Sequence, residues 1–213
     1  MIIRPKTKLQ FDNSWLDTLK FEEHSDYDLA GHVSAIAVKS ESGKVFDFYR
    51  SDPLEIPKDF KYTALYNKID AVKKLTDFFQ IETTRVRIHR QLPGQTIPMH
   101  TDDNNIKATD SDHYRLRMLT ALSESEDFIY RFSIDNEIEE YSLKKGESII
   151  FDPDKVAHGM VNKSKTDIRY CFVQIFKAYP IANWTKNFIN DEATIVLWIK
   201  ILVQPFTNLM VTQ

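Results

Sequence analysis

The run Thr83-Thr-Arg-Val-Arg-Ile-His-Arg-Gln-Leu92 constrains the fold more than any other part of the chain. Side chains alternate across a strand with a period of two. Arg85, Arg87, His89 and Gln91 therefore share one face, and Val86, Ile88, Arg90 and Leu92 share the other. Such a strand needs different surroundings on its two sides. Either the polar face meets water, or it looks into a polar cavity while helices cover the apolar face. The period alone leaves both arrangements open. Leu92-Pro93-Gly94-Gln95 then turns the chain, Pro93 fixing φ and Gly94 tolerating positive φ.

Further short strands are predicted near 114–122, 127–134, 147–151 and 169–176, with Lys144-Lys145-Gly146-Glu147 turning the chain before the third. In the last of these, Arg169, Cys171, Val173 and Ile175 share a face. Upstream, Val33-Ala35-Ala37 and Val45-Phe46-Phe48 flank Ser40-Glu41-Ser42-Gly43 as a hairpin, and Asp52-Pro53 and Ile56-Pro57 close the region. Over 64–80, Leu65, Ile69, Val72, Leu75, Phe78 and Phe79 recur at three- and four-residue spacing, which predicts one helix. Many short strands with one or two helices imply an antiparallel β-fold with accessory helices.

A chain of 213 residues suffices for one sizeable domain. The formal net charge of −3 gives no electrostatic footprint for nucleic acid. Cys171 is the only cysteine, so no intramolecular disulfide can form, and a reducing, cytoplasmic setting is expected. The first residues, Met1-Ile2-Ile3-Arg4-Pro5, turn polar too soon for a signal peptide. Residues 193–206 form a nearly continuous apolar run broken by Lys200. A membrane span needs about 20 apolar residues, so no span is expected. The domain is expected to occupy 1–188. The segment 189–213 then packs on it or forms a homodimer contact.

The chemistry concentrates in His100-Thr101-Asp102, the distant His158, and Arg169. A His-x-Asp triplet with a remote second histidine is the ligand set of the 2-His-1-carboxylate facial triad. That set holds non-haem Fe(II) and leaves positions open for other ligands. The triplet alone is weak, since histidines and aspartates have ordinary surface and packing roles. Its context strengthens it. His100 follows a turn and a strand-like run, and His158 follows Ile149-Ile150-Phe151 and the turn Asp152-Pro153-Asp154. Arg169 opens a further run. An arginine there can grip the far carboxylate of 2-oxoglutarate with two parallel hydrogen bonds. The alternative for Arg169 is a surface ion pair, with Lys165 as the substitute anchor.

Leu92-Pro93-Gly94 through His100, Arg115-Leu116-Arg117-Met118, Ile150-Phe151-Asp152, His158 and Arg169 together resemble the aspartyl/asparaginyl β-hydroxylase family. The resemblance spans roughly residues 60 to 177. It implies a double-stranded β-helix (jelly-roll, cupin-like) with accessory α-helices, and membership of the Fe(II)/2-oxoglutarate-dependent oxygenases. It also implies a keto acid bound through its C1 carboxylate and 2-keto oxygen, O₂ as oxidant, and succinate and CO₂ as products. The aspartyl hydroxylase itself lacks the metal-binding carboxylate. Asp102 is present here, as in family members that hydroxylate free proline. A histidine often follows the Arg-x-Arg-Met run, whereas this chain has Leu119.

On the substrate side, Arg115 and Arg117 match the family's Arg-x-Arg run and share a strand face. Arg117 is assigned to the co-substrate and Arg115 to the substrate, with Arg87 and His89 as further substrate contacts. An arginine-lined cavity suits amino acids, peptide side chains or other small carboxylate-bearing molecules. The polar stretch 101–113 is either a lid over the site or a solvated loop. Two other functions fit the same residues: a cupin-type metalloenzyme that uses no keto acid, and a non-catalytic oligomeric β-barrel module.

Overall fold

The computed structural model describes residues 2–5, 8–23, 31–46, 60–78, 83–102 and 114–178. Four short N-terminal strands come first: β1 (Ile2–Ile3), β2 (Glu22–Glu23), β3 (Ser34–Ser40) and β4 (Lys61–Tyr62). Two helices follow, α1 (Ala64–Lys68) and α2 (Asp70–Asp77). Eight strands complete the described chain: β5 (Thr83–Gln91), β6 (Thr96–His100), β7 (Tyr114–Ala121), β8 (Phe128–Ile134), β9 (Glu137–Ser142), β10 (Ser148–Phe151), β11 (His158–Asn162) and β12 (Arg169–Ala178).

The described strands form two antiparallel sheets, with β4 paired to β3 beside the main path of the larger one. The larger runs β1-β10-β7-β12-β5-β3-β2, and the smaller runs β6-β11-β8-β9. The chain crosses from one sheet to the other at β5–β6, β6–β7, β7–β8, β9–β10, β10–β11 and β11–β12. That winding makes the fold a double-stranded β-helix, as the sequence resemblance implies. Asp135 and Asn136, at φ 50° and 69°, make the tight turn between β8 and β9.

Two apolar layers result. Between the sheets lie Ile97, Leu119, Tyr130, Phe132, Ile149, Phe151, Met160 and Val173. Behind the larger sheet, Val86, Ile88 and Phe172 pack against Leu65 of α1 and Val72 and Leu75 of α2. Each large side chain so buried contributes about 1.5–3 kcal/mol. The outer layer decides the orientation of β5. Val86 and Ile88 face the helices, so Arg85, Arg87, His89 and Gln91 face the space between the sheets.

Three elements differ from the sequence expectation. The single helix over 64–80 is two helices. Ile69, at φ −124° and ψ 105°, interrupts it, because Thr63 caps α1 and the acidic Asp70 starts α2 afresh. The expected second hairpin arm is a turn at Val45-Phe46, held to β3 by a hydrogen bond from Ala37 N–H to Val45 O at 2.6 Å. β3 takes β5 as its partner on the opposite side. β9 is an edge strand that no alternation announces, since its residues are almost all exposed. The lid stretch beyond Asp102, Phe48, Phe79 and the apolar segment 189–213 with its dimer reading lie outside the described residues. So does the domain boundary at 188.

Candidate metal centre and anion pocket

β6 and β11 are antiparallel neighbours in the smaller sheet, and His100 stands directly opposite His158. The two rings converge, with centroids 4.5 Å apart. Asp102 lies just beyond β6, and its N–H donates to Pro153 O at 2.9 Å, which ties it to the turn ahead of β11. Gly159 lets β6 and β11 approach: a Cβ there would lie 2.8 Å from Ile97 O and 3.1 Å from Met99 Sδ.

His100 Nδ1 lies 2.8 Å from Pro98 O, and His158 Nδ1 lies 3.0 Å from Val156 O. A carbonyl only accepts, so each Nδ1 carries the hydrogen and each Nε2 presents a lone pair. The Nε2 atoms of His100 and His158 lie 3.7 and 3.8 Å from Asp102 Oδ1. One ligand atom from each of the three residues falls within 4.8 Å of the others. Metal–ligand bonds to nitrogen or oxygen run near 2 Å, so a single ion can reach all three. Two neutral nitrogens and one carboxylate suit a borderline divalent metal such as Fe(II). Burial pushes the His158 pKa down to about 3, aided by the Arg117 charge and opposed by Asp102. Its imidazole is therefore neutral, as a metal ligand must be.

The sequence assigns Arg117 to the co-substrate. The structure brings it into the triad itself. From β7 in the larger sheet, its guanidinium donates to His158 Nε2 at 2.8 Å and pairs with Asp102. A side-chain cation thus contacts two of the three ligands.

Arg169 opens β12 and is 1% exposed, which rules out a surface ion pair for it. Lys165, the substitute anchor, is exposed. The Arg169 guanidinium donates to Gln91 Oε1 at 2.6 Å and to Met160 Sδ at 3.1 Å, and lies 3.9 Å from the Tyr130 ring centroid. Its Nε is buried without a hydrogen-bond partner. Among the described residues no carboxylate pairs with it. A buried guanidinium surrounded only by neutral groups is costly until an anion joins it.

Arg87 and His89 lie half-buried on the inward row of β5 that ends in Gln91. Arg115 pairs through its backbone with Lys177, and its side chain lies outside the described residues. Sequence reasoning placed Gln91 on the polar face of β5, with its direction left open, and gave it no role. It missed Tyr130 and Met160, whose strands carried no polar signal. Asn162, at the end of β11, is buried as well and donates to the carbonyls of Gln91, Leu92 and Asp167.

No protein-family model matches the chain, and no curated protein sequence matches it. Similar solved structures include a 2OG-Fe(II) oxygenase family oxidoreductase from Burkholderia pseudomallei. That pair shares 15% identity over 75% of this chain and 72% of the other, at a TM-score of 0.49. A Pseudomonas putida prolyl-4-hydroxylase shares 13% identity over 76% and 79% of the two chains, at a TM-score of 0.44. A non-haem alpha ketoglutarate dependent epimerase from nogalamycin biosynthesis shares 10% identity over 83% and 74%, at a TM-score of 0.47. Among the described residues, no helix is long and apolar enough to cross a membrane.

Proposed function

We propose that this protein is an Fe(II)- and 2-oxoglutarate-dependent dioxygenase that hydroxylates an amino acid, a peptide side chain or another small carboxylate-bearing substrate. The observation that carries this reading is the pairing of two features in one barrel. Three converging ligands stand at the β6–β11 end, and a buried guanidinium without a carboxylate partner among the described residues stands at Arg169.

His100, Asp102 and His158 would hold the iron, which supplies O₂ activation coupled to oxidation of the keto acid to succinate and CO₂. Pro98 O and Val156 O keep the two imidazoles in the ligating tautomer. Arg169 would receive the far carboxylate of 2-oxoglutarate. Arg117, released from Asp102 and His158 by the metal, would face the co-substrate's metal-binding end. Arg115, Arg87 and His89 belong to the substrate side, and their charge favours anionic substrates. Residues 1–188 would form the catalytic domain and 189–213 a covering segment or homodimer contact. A cupin-type metalloenzyme without a keto acid leaves the buried Arg169 unexplained.

The test is anaerobic Fe(II) binding followed by O₂-dependent release of succinate from 2-oxoglutarate across a panel of amino acids and peptides. Iron binding should collapse in His158→Ala. Arg169→Ala should lose about two to three or more decades of keto-acid affinity, because truncating one side of a buried charge pair costs about 3–5 kcal/mol. Iron binding without any succinate release across the panel would favour the cupin alternative. Unchanged 2-oxoglutarate affinity in Arg169→Ala would remove the arginine from the co-substrate site.

A further inference from the structure

Gln91 is buried at the end of β5, directly opposite Arg169 on β12. Its amide can sit only one way. The guanidinium on one side only donates, so the oxygen Oε1 must face it, at 2.6 Å. On the other side Nε2 approaches His32 O at 3.5 Å and Gln95 O at 3.4 Å, both of which only accept. The backbone of Gln91 is held as well, its carbonyl accepting from Asn162 Nδ2 at 3.2 Å. A residue with this surround is a fixed acceptor, not a mobile one.

The choice of side chain matters electrically. A carboxylate in the same place would also accept from Arg169, but it would cancel the charge and set an oxygen against two carbonyls. The remaining partners of the guanidinium, the Met160 thioether and the Tyr130 ring, are uncharged too. Gln91 and Met160 each take one N–H donor of the guanidinium, and the buried Nε–H finds no partner in the described protein. The cation is thus located by neutral groups and keeps its full charge.

On the reading that Arg169 receives the far carboxylate of a keto acid, we propose that Gln91 is the positioning residue that fixes this anchor without neutralising it, and thereby sets a preference for dicarboxylate over monocarboxylate keto acids.

The full chain, loaded with Mn(II) as a redox-inert ion, is titrated calorimetrically with 2-oxoglutarate and with 2-oxopentanoate, which has the same carbon count but no far carboxylate. The wild type should prefer 2-oxoglutarate by about 100-fold or more, the cost of leaving one side of a buried charge pair empty. Gln91→Glu should weaken 2-oxoglutarate by roughly that factor and leave 2-oxopentanoate within about threefold, so the preference collapses. Gln91→Met keeps the volume and removes the acceptor. It should cost about tenfold for 2-oxoglutarate alone, in line with loss of one hydrogen bond to a charged group. A merely structural role would lower both affinities together in either variant, and that result, or a wild-type preference in Gln91→Glu, overturns the proposal. Should Gln91→Glu lose its circular-dichroism signature, Gln91→Met decides by the same criterion. Arg169→Ala separates the two layers of the argument. If it abolishes the preference and the Gln91 variants do not, only the role of Gln91 falls. If it leaves the preference intact, the reading of Arg169 fails and this proposal with it.

Discussion

Mild acid should destabilise the metal-free protein through His158. The ring is 3% exposed, and its pKa falls from 6.5 to about 3. Burial is the largest cause, the Arg117 charge adds to it, and Asp102 opposes both. Below pH 6.5 the unfolded chain takes up a proton that the folded ring refuses until about pH 3. In that window the unfolded state binds more protons, so stability falls as pH falls, by about 1.4 kcal/mol per pH unit. The contribution is fully present above pH 6.5. At pH 5, one and a half units lower, about 2 kcal/mol is gone, a large share of a typical stability of about 5–15 kcal/mol. Urea unfolding at pH 7.5 and pH 5.0 measures the loss, and His158→Gln provides the control, since its amide stays neutral and can still accept from Arg117. The wild type should lose about 2 kcal/mol more than the variant over this interval. Equal losses in the two proteins would mean that His158 is not the titrating group.

Arg117→Met should raise affinity for Mn(II) by about tenfold or more, because a charge-assisted contact to two ligands no longer competes with the ion; unchanged affinity by calorimetry would show that the guanidinium does not compete. Gly159→Ala should destabilise by about 1–3 kcal/mol and weaken metal binding, because the new methyl meets the β6 backbone next to His100; a neutral result in thermal unfolding would mean that β6 gives way freely. Asn162→Ala should cost about 3 kcal/mol in chemical denaturation, since three carbonyls lose a shared donor. A loss under about 1 kcal/mol would mean that water replaces the amide.

What could be read in the sequence was whatever period two or a fixed spacing encodes. The alternation of β5 predicted which side chains share a face, although only packing against α1 and α2 revealed which face looks inward. His100, Asp102 and His158 were legible because strand ends bring them together, and their convergence follows from the β6–β11 pairing. The break at Ile69 was invisible because the helical spacing runs through it. β9 was invisible because an exposed edge strand has no apolar face to alternate. The partners of Arg169 come from β5, β8 and β11, far apart in the chain, and no local pattern joins Gln91, Tyr130 and Met160. Arg117 was legible as an inward arginine, but its partnership with Asp102 and His158 depends on the distance between the two sheets.

On the proposed reading, that partnership bears on how the protein would meet scarce iron. Many small metal-binding domains cannot fold until their ion arrives, and so their abundance follows the supply. Here Arg117 provides positive charge to Asp102 and a donor to His158 from within the chain, and links the larger sheet to the smaller. The expected consequence is that the chain settles into its barrel without the ion. An iron-starved culture should contain as much folded, protease-resistant protein as a replete one, idle and ready for loading. A marked fall in its level on iron limitation would show that Arg117 does not take the ion's place in folding.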